Sequence, residues 1–163
     1  MGMEIADDKF QQRKAEAEAF YQSIDPVKCP YFNGDCVHFN SEGFEHIVFK
    51  EWNKTRSRVE QYTRFRLLPL AVSITKKSGT LQEYDERNLF VRRQSRGKWN
   101  KILKPVRYYV FTAIVKDLRV KVIVKEIEGG QKCFHSIYPS WNTQPDGQGG
   151  KKKKLYHGDP ETD

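Results

Sequence analysis

The stretch "LRVKVIVKEIEGGQKCFHSIY", residues 118–138, decides the fold. Apolar and polar side chains alternate along residues 118–127, a pattern typical of a strand with one buried face. One face carries Val120, Val122 and Val124, and the other carries Arg119, Lys121, Ile123 and Lys125. Gly129-Gly130 then favours a hairpin turn, so residues 131–138 are predicted to return as an antiparallel strand.

The residues before this hairpin extend the predicted sheet. Residues 106–115, "VRYYVFTAIV", are rich in β-branched and aromatic side chains, and Lys116-Asp117 suits the turn that follows. The pattern predicts three consecutive antiparallel strands, or four if residues 81–91 join them. Residues 92–104, "RRQSRGKWNKILK", are predicted to form a basic loop.

Helices are predicted in the first half of the chain. Residues 7–24 are rich in Ala, Glu, Gln and Lys, which favour a helix. Within residues 41–77, apolar residues recur at spacings of three and four, and Pro69 is predicted to divide this segment into two helices. Helices followed by an antiparallel meander indicate an α+β fold, with the helices packed on one face of a 3–4-stranded sheet.

The chain is expected to divide into three parts. Residues 1–26 form an N-terminal helix, and residues 27–142 form the α+β domain. Residues 143–163, which include "KKKK" at 151–154, contain few apolar residues and are predicted to be a disordered basic tail.

Composition limits the compartment and the partners. The 163 residues carry a net charge of +8 with 13% aromatic side chains, which suits a polyanion with faces for stacking, such as RNA. An ordinary basic surface would give the same numbers. The odd number of cysteines, the absence of a signal-like N-terminus and the lack of a long apolar run lead us to expect a cytoplasmic protein without a membrane partner.

Candidate site residues lie on the predicted sheet and the helix before it. Metal-free RNA cleavage needs a general base, a general acid and cations for the phosphate, and histidine suits the first two roles. A solvated strand face and a packed histidine are the plain alternatives. The candidate catalytic set is His46, Arg66, Arg119, Lys121, His135 and Ser136, with RNA contacts from Lys125 and Tyr138.

No cofactor or metal is expected. Cys29 and Cys36 are spaced too widely for the usual zinc knuckle, although Cys133 and His135 would complete a set of ligands. Phosphate-binding glycine loops and a nucleophile elbow are also absent from the sequence.

Three segments carry a resemblance to a known family. The order "EGFEHIVFKEW", "RFRLLPLA" and then "YYVFTAIVKDLRVKVIVKEIEGGQKCFHSIYPSW" resembles phage and mobile-element members of the barnase–EndoU–colicin–RelE superfamily. The resemblance covers roughly residues 36–142. In those domains a histidine near a helix start precedes an Arg-containing helix, and the last strand carries a His/Ser segment.

The resemblance implies a metal-independent endoribonuclease, often a toxin with a protein inhibitor (antitoxin). It implies an acid/base role for His46, phosphate contacts by Arg66 or Arg64, and charge stabilisation by Arg119 and Lys121. His135 or Ser136 would complete the site. Two alternatives stay open from the residues themselves: a nucleic-acid-binding module without activity, and a basic protein with an acidic protein partner.

Overall fold

A computed structural model describes residues 5–51, 54–140, 154–156 and 158–163. In chain order its elements are α1 (Asp7–Gln22), β1 (Val27–Lys28), a 3-10 turn (Pro30–Phe32), β2 (Cys36–His38), α2 (Ser41–Val48), β3 (Phe49–Glu51), β4 (Lys54–Thr55), α3 (Arg58–Lys77), β5 (Glu83–Ser95), β6 (Lys98–Val115), β7 (Leu118–Ile127), β8 (Lys132–Pro139) and β9 (Lys154–Leu155). The α+β class is confirmed.

The main sheet is larger than expected and mixed. Its strand order is β1-β2-β8-β7-β6-β5-β9. The β5-β6-β7-β8 meander is antiparallel, as the sequence indicates, while β2 pairs with β8 and β9 pairs with β5 in parallel. The additional strands have only two or three residues, which is too short for an alternating pattern to show.

The helical segment breaks at a different place from the one predicted. The break falls at β3 and β4, between α2 and α3, whereas Pro69 lies inside α3. Ser57 caps α3, since its hydroxyl accepts a bond from the Glu60 amide at 3.2 Å in a capping-box pattern. Pro69 is exposed, so the backbone bond that it cannot make lies on the solvent side of the helix.

Residues 92–104 are a β-ribbon and not the predicted loop. β5 and β6 pair continuously up to Ser95 and Lys98, and Arg96-Gly97 forms the two-residue turn between them. Both turn residues have positive φ, 52° and 75°, which matches the twist of a hairpin. The ribbon was missed because both of its faces carry polar side chains, so it lacks the inside–outside alternation of a buried strand.

The two faces of the sheet are covered differently. Val120, Val122 and Val124 are fully buried against the helices, as the alternation predicts, and Phe134 and Ile137 join them from β8. Gly43 of α2 lies so close to β8 that an added Cβ would stand 2.5 Å from the Phe134 carbonyl oxygen. The other face carries a smaller apolar cluster, which consists of Val106, Tyr108, Val110, Ile123 and Tyr156.

Part of the expected disordered tail is ordered. Lys154–Leu155 pair with β5, Tyr156 is buried, and residues 158–163 lie against the sheet. Residues 143–153 and residue 157 lie outside the described residues. The low apolar content predicted disorder, but hydrogen bonds and ion pairs hold residues 158–163 against the sheet. Among the described residues, none of the helices is long and apolar enough to cross a membrane.

Candidate active site

A bulge in β8 shapes the candidate site. The β7–β8 register shifts between Ile123, which pairs with Ser136, and Val124, which pairs with Phe134. His135 is therefore an extra residue on its strand, and a bulge of this kind redirects a side chain. His135 is 7% exposed and Ser136 is fully buried, so both predicted residues lie in the interior of the protein.

The two candidate histidines meet. The rings of His46 and His135 stack with centroids 3.9 Å apart and an interplanar angle of 23°. His46 lies in the last turn of α2 and not near a helix start as the resemblance implied. The N-terminal half of α2 approaches β8 closely at Gly43, and this packing brings the two rings together.

Hydrogen bonds fix the proton positions on both rings. The Arg56 guanidinium donates to His46 Nε2 at 3.1 Å, and since arginine only donates, His46 Nε2 must accept. His135 Nε2 lies 2.9 Å from the Pro160 carbonyl oxygen, which only accepts, so His135 Nε2 carries a proton. Nε2 of His46 is therefore a basic nitrogen, and Nε2 of His135 is an N–H donor.

Burial keeps both rings neutral. It lowers the pKa of His135 to about 4, and the nearby Lys125 cation acts in the same direction while Glu161 opposes it. Burial also lowers the pKa of His46 far below its usual range, and His135, Arg56 and Arg64 lower it further. Two stacked imidazoles among cations can hold at most one additional proton between them without strong repulsion.

An oxygen-binding cradle lies next to the histidines. Arg64, Ser136 and Arg56 all donate to the backbone oxygen of Asp163, at 2.7 Å, 2.9 Å and 3.3 Å. Arg64 also donates to Ser136 Oγ at 2.6 Å, and its guanidinium lies 5.5 Å from the ring centroid of Tyr138. Burial lowers the pKa of Arg64 to about 10, so it remains charged at neutral pH. Three donors that converge on one oxygen form the kind of arrangement that binds an oxyanion.

The acidic segment 158–163 occupies this cradle. Glu161 accepts bonds from Lys125 Nζ at 3.0 Å and from the Tyr108 hydroxyl. The Asp163 side chain accepts a bond from the Tyr156 hydroxyl at 2.6 Å, and Tyr156 also bonds the Tyr138 hydroxyl. The oxygens of this segment therefore stand where oxygens of an anionic ligand would bind.

A cavity opens beside the histidine pair. It has a volume of about 860 Å³ and lies between α2 and the ends of β7 and β8. His46, His135, Lys125 and Glu161 contribute to its wall, together with Asn40 and Cys133. Its size is within the range of pockets that hold small ligands, so it has room for a nucleotide.

The structure brings six of the nine predicted residues into this neighbourhood and separates three. The six are His46, Arg64, Lys125, His135, Ser136 and Tyr138. Arg66 is exposed, because two helical positions place it on the side of α3 opposite the buried Arg64. Arg119 lies four residues along β7 from Ile123, or roughly 13 Å from the level of Ser136.

Lys121 has a different role from the predicted one. Its ammonium group pairs with Glu83 at 2.8 Å and lies 5.6 Å from the ring centroid of Tyr156. These contacts connect β7 to β5 and to the C-terminal segment. They place Lys121 in the packing of the sheet and not at the histidine pair.

Arg56 and Glu161 were missed by sequence reasoning. Arg56 directly precedes the capping box at Ser57–Glu60, so that motif would have placed it at the start of α3. The sequence around Glu161 carries no comparable signal. In the ranges that the structure describes, no three His, Cys, Asp or Glu side chains are grouped as a metal site would require.

Comparisons with protein-family models, curated proteins and solved structures find no match to this chain.

Acid is expected to destabilise the fold through His135. His135 takes up a proton near pH 6.5 in the unfolded chain but only near pH 4 in the folded protein. Its contribution to the free energy of unfolding is therefore fully present above about pH 6.5 and falls as the pH drops towards 4. The free energy of unfolding should fall by about 2 kcal/mol between about pH 7 and pH 5 from this ring alone. Urea unfolding of wild type and His135→Gln measures the difference. Equal pH dependence in the two proteins would contradict the assignment.

Proposed function

We propose that this protein is a metal-independent endoribonuclease that cleaves RNA through attack of the ribose 2′-hydroxyl on the adjacent phosphate. The observation that carries the proposal is the His46–His135 pair, stacked at 3.9 Å beside the Arg56–Arg64–Ser136 cradle. Acid–base groups and an oxyanion-binding cradle are the parts that this reaction needs.

The two imidazoles divide the proton transfers. A phosphate in the cradle adds negative charge, which raises the pKa of both rings and allows the pair to hold one proton. The neutral ring removes the 2′-hydroxyl proton while the protonated ring gives its proton to the departing 5′-oxygen. The products are a 2′,3′-cyclic phosphate and a 5′-hydroxyl end.

His135 is assigned as the acid and His46 as the base. The N–H of His135 already points at an oxygen, that of Pro160, which stands in for the leaving oxygen of RNA. The lone pair of His46 Nε2 is held by Arg56 and becomes available when the guanidinium turns to the phosphate. Lys125 and Arg64 then bind the remaining phosphate oxygens in place of Glu161 and Asp163.

RNA must displace residues 158–163 in this mechanism. Their carbonyl and carboxylate oxygens hold the same donors that the phosphate would use. If this segment stays in place, RNA that binds elsewhere on the basic surface would not be cleaved, and this gives a second candidate function, RNA binding without cleavage. A protein inhibitor, as the family resemblance implies for a toxin, would meet the same cations with acidic side chains.

Incubation of purified protein with total RNA in excess EDTA separates these functions. The nuclease proposal expects discrete fragments under chelation, because none of its steps uses a metal. RNA whose mobility shifts without shortening would instead identify a binding module, and that shift should weaken with salt as counterions compete. RNA that neither shifts nor shortens would leave the acidic-protein partner as the better account.

A further inference from the structure

The hairpin formed by residues 89–104, here called the arm, extends beyond the rest of the sheet. β6 pairs with β7 only from Val106 onward, so in the described chain the arm's two strands pair only with each other. An isolated two-stranded ribbon is marginal by itself. A long exposed ribbon therefore suggests a surface with a partner.

One face of the arm interleaves cations with apolar rings. Its register places Phe90 opposite Leu103, Arg92 opposite Lys101, and Gln94 opposite Trp99. Phe90, Leu103 and Trp99 are 73%, 54% and 66% exposed. The same face carries Tyr84 and Tyr109 nearer the core, where they pack against the helix-side core, so the arm continues that face into solvent.

The charge of the arm is entirely positive. Residues 89–104 contain six Lys or Arg, and residues 88–116 contain no Asp or Glu. Arg92 and Lys101 stand directly opposite each other, an arrangement that destabilises a strand pair. Neither forms an ion pair within the described residues, although several other Lys and Arg side chains do. A polyanion would relieve this repulsion.

We propose that the arm binds single-stranded RNA, with bases stacked on Trp99 and Phe90 and phosphates held by Arg92 and Lys101. Exposed rings beside cations are how proteins bind single strands without reading their sequence. The arm would capture substrate at a distance from the His46–His135 pair. The inference relies on the proposed function for the identity of the ligand, RNA, and not for the cleavage chemistry.

The test measures binding of a 2′-O-methyl oligouridine, which lacks the attacking hydroxyl, by fluorescence anisotropy. Trp99→Ala is expected to weaken binding about tenfold or more. The double variant Arg92→Gln/Lys101→Gln should weaken it similarly and reduce the slope of log affinity against log salt by about 1.4. The matched controls are Ile114→Ala, an exposed apolar residue on the same strand, and Lys76→Gln/Lys77→Gln at the end of α3.

The outcomes separate the arm from the nuclease. Arm variants that bind like their controls would overturn the inference. If the wild-type protein binds RNA through the arm but does not cleave it, the inference about the arm is supported and the nuclease proposal is wrong. If the protein binds anionic vesicles and not the oligonucleotide, the arm is a membrane-binding element and the RNA assignment is wrong. Thermal unfolding by circular dichroism should show no loss of stability in any variant, since the altered side chains are exposed.

Discussion

Replacing His135 with glutamine is expected to reduce RNA cleavage by about 10²–10⁴-fold, the usual contribution of a positioned acid or base. The glutamine amide can still donate to the Pro160 oxygen as His135 Nε2 does, but it cannot release or accept a proton. The initial rate on a dinucleotide measures the loss, since so small a substrate reaches the site without the arm.

The control for this variant is His38→Gln. His38 lies in β2, outside the wall of the cavity, so its replacement should leave the rate within about twofold of wild type. The pH–rate profile of the wild type should also show an acid limb and a base limb, since the pair needs one proton. Equal rates for His135→Gln and wild type would remove His135 from the reaction.

Replacing Arg64 with lysine is expected to reduce cleavage by about 10²-fold. Arg64 holds Ser136 Oγ and the oxygen of Asp163 with one buried guanidinium, and a lysine ammonium lacks this planar set of donors. The same change should loosen residues 158–163, which by itself would increase access to the site. A lower rate would therefore result from weaker binding of the phosphate and not from the loosening of residues 158–163.

Arg66→Lys is the matched control for Arg64→Lys. It makes the same chemical change two residues away, on the exposed side of α3. Its rate should be close to that of wild type. Steady-state kinetics on the dinucleotide would show whether Arg64→Lys acts on kcat, as transition-state stabilisation requires, or only on KM. An equal effect of the two substitutions would contradict the site.

The sequence predicted correctly those parts of the fold that depend on residues close together in the chain. The alternation of Val120, Val122 and Val124 correctly assigned the buried face of β7, and Lys116-Asp117 was correctly read as a turn. The arm and the position of the helix break were predicted wrongly. Among the side chains that the structure describes, residues 92–104 of the arm have no buried face, and α3 begins after the capping box at Ser57–Glu60 and continues through Pro69.

The site required tertiary information that one sequence does not contain. His46 and His135 were chosen for their chemistry, but their stacking depends on a bulge in β8 that no residue type signals. Arg64 and Arg66 were indistinguishable in the sequence, and only the packing of α3 separates them. The role of Glu161 was missed because the segment that carries it looks unstructured by composition.

The end chemistry of the cleaved RNA shows whether the 2′-hydroxyl is the nucleophile. A defined oligoribonucleotide is incubated with the protein in excess EDTA, beside the same oligonucleotide with a 2′-deoxyribose at the cleaved position, and the fragments are analysed by mass spectrometry. We expect a 2′,3′-cyclic phosphate and a 5′-hydroxyl from the first and no cleavage of the second. Fragments with a 5′-phosphate, or equal cleavage of the deoxy-substituted strand, would show that the 2′-hydroxyl is not the nucleophile and would contradict the proposed mechanism.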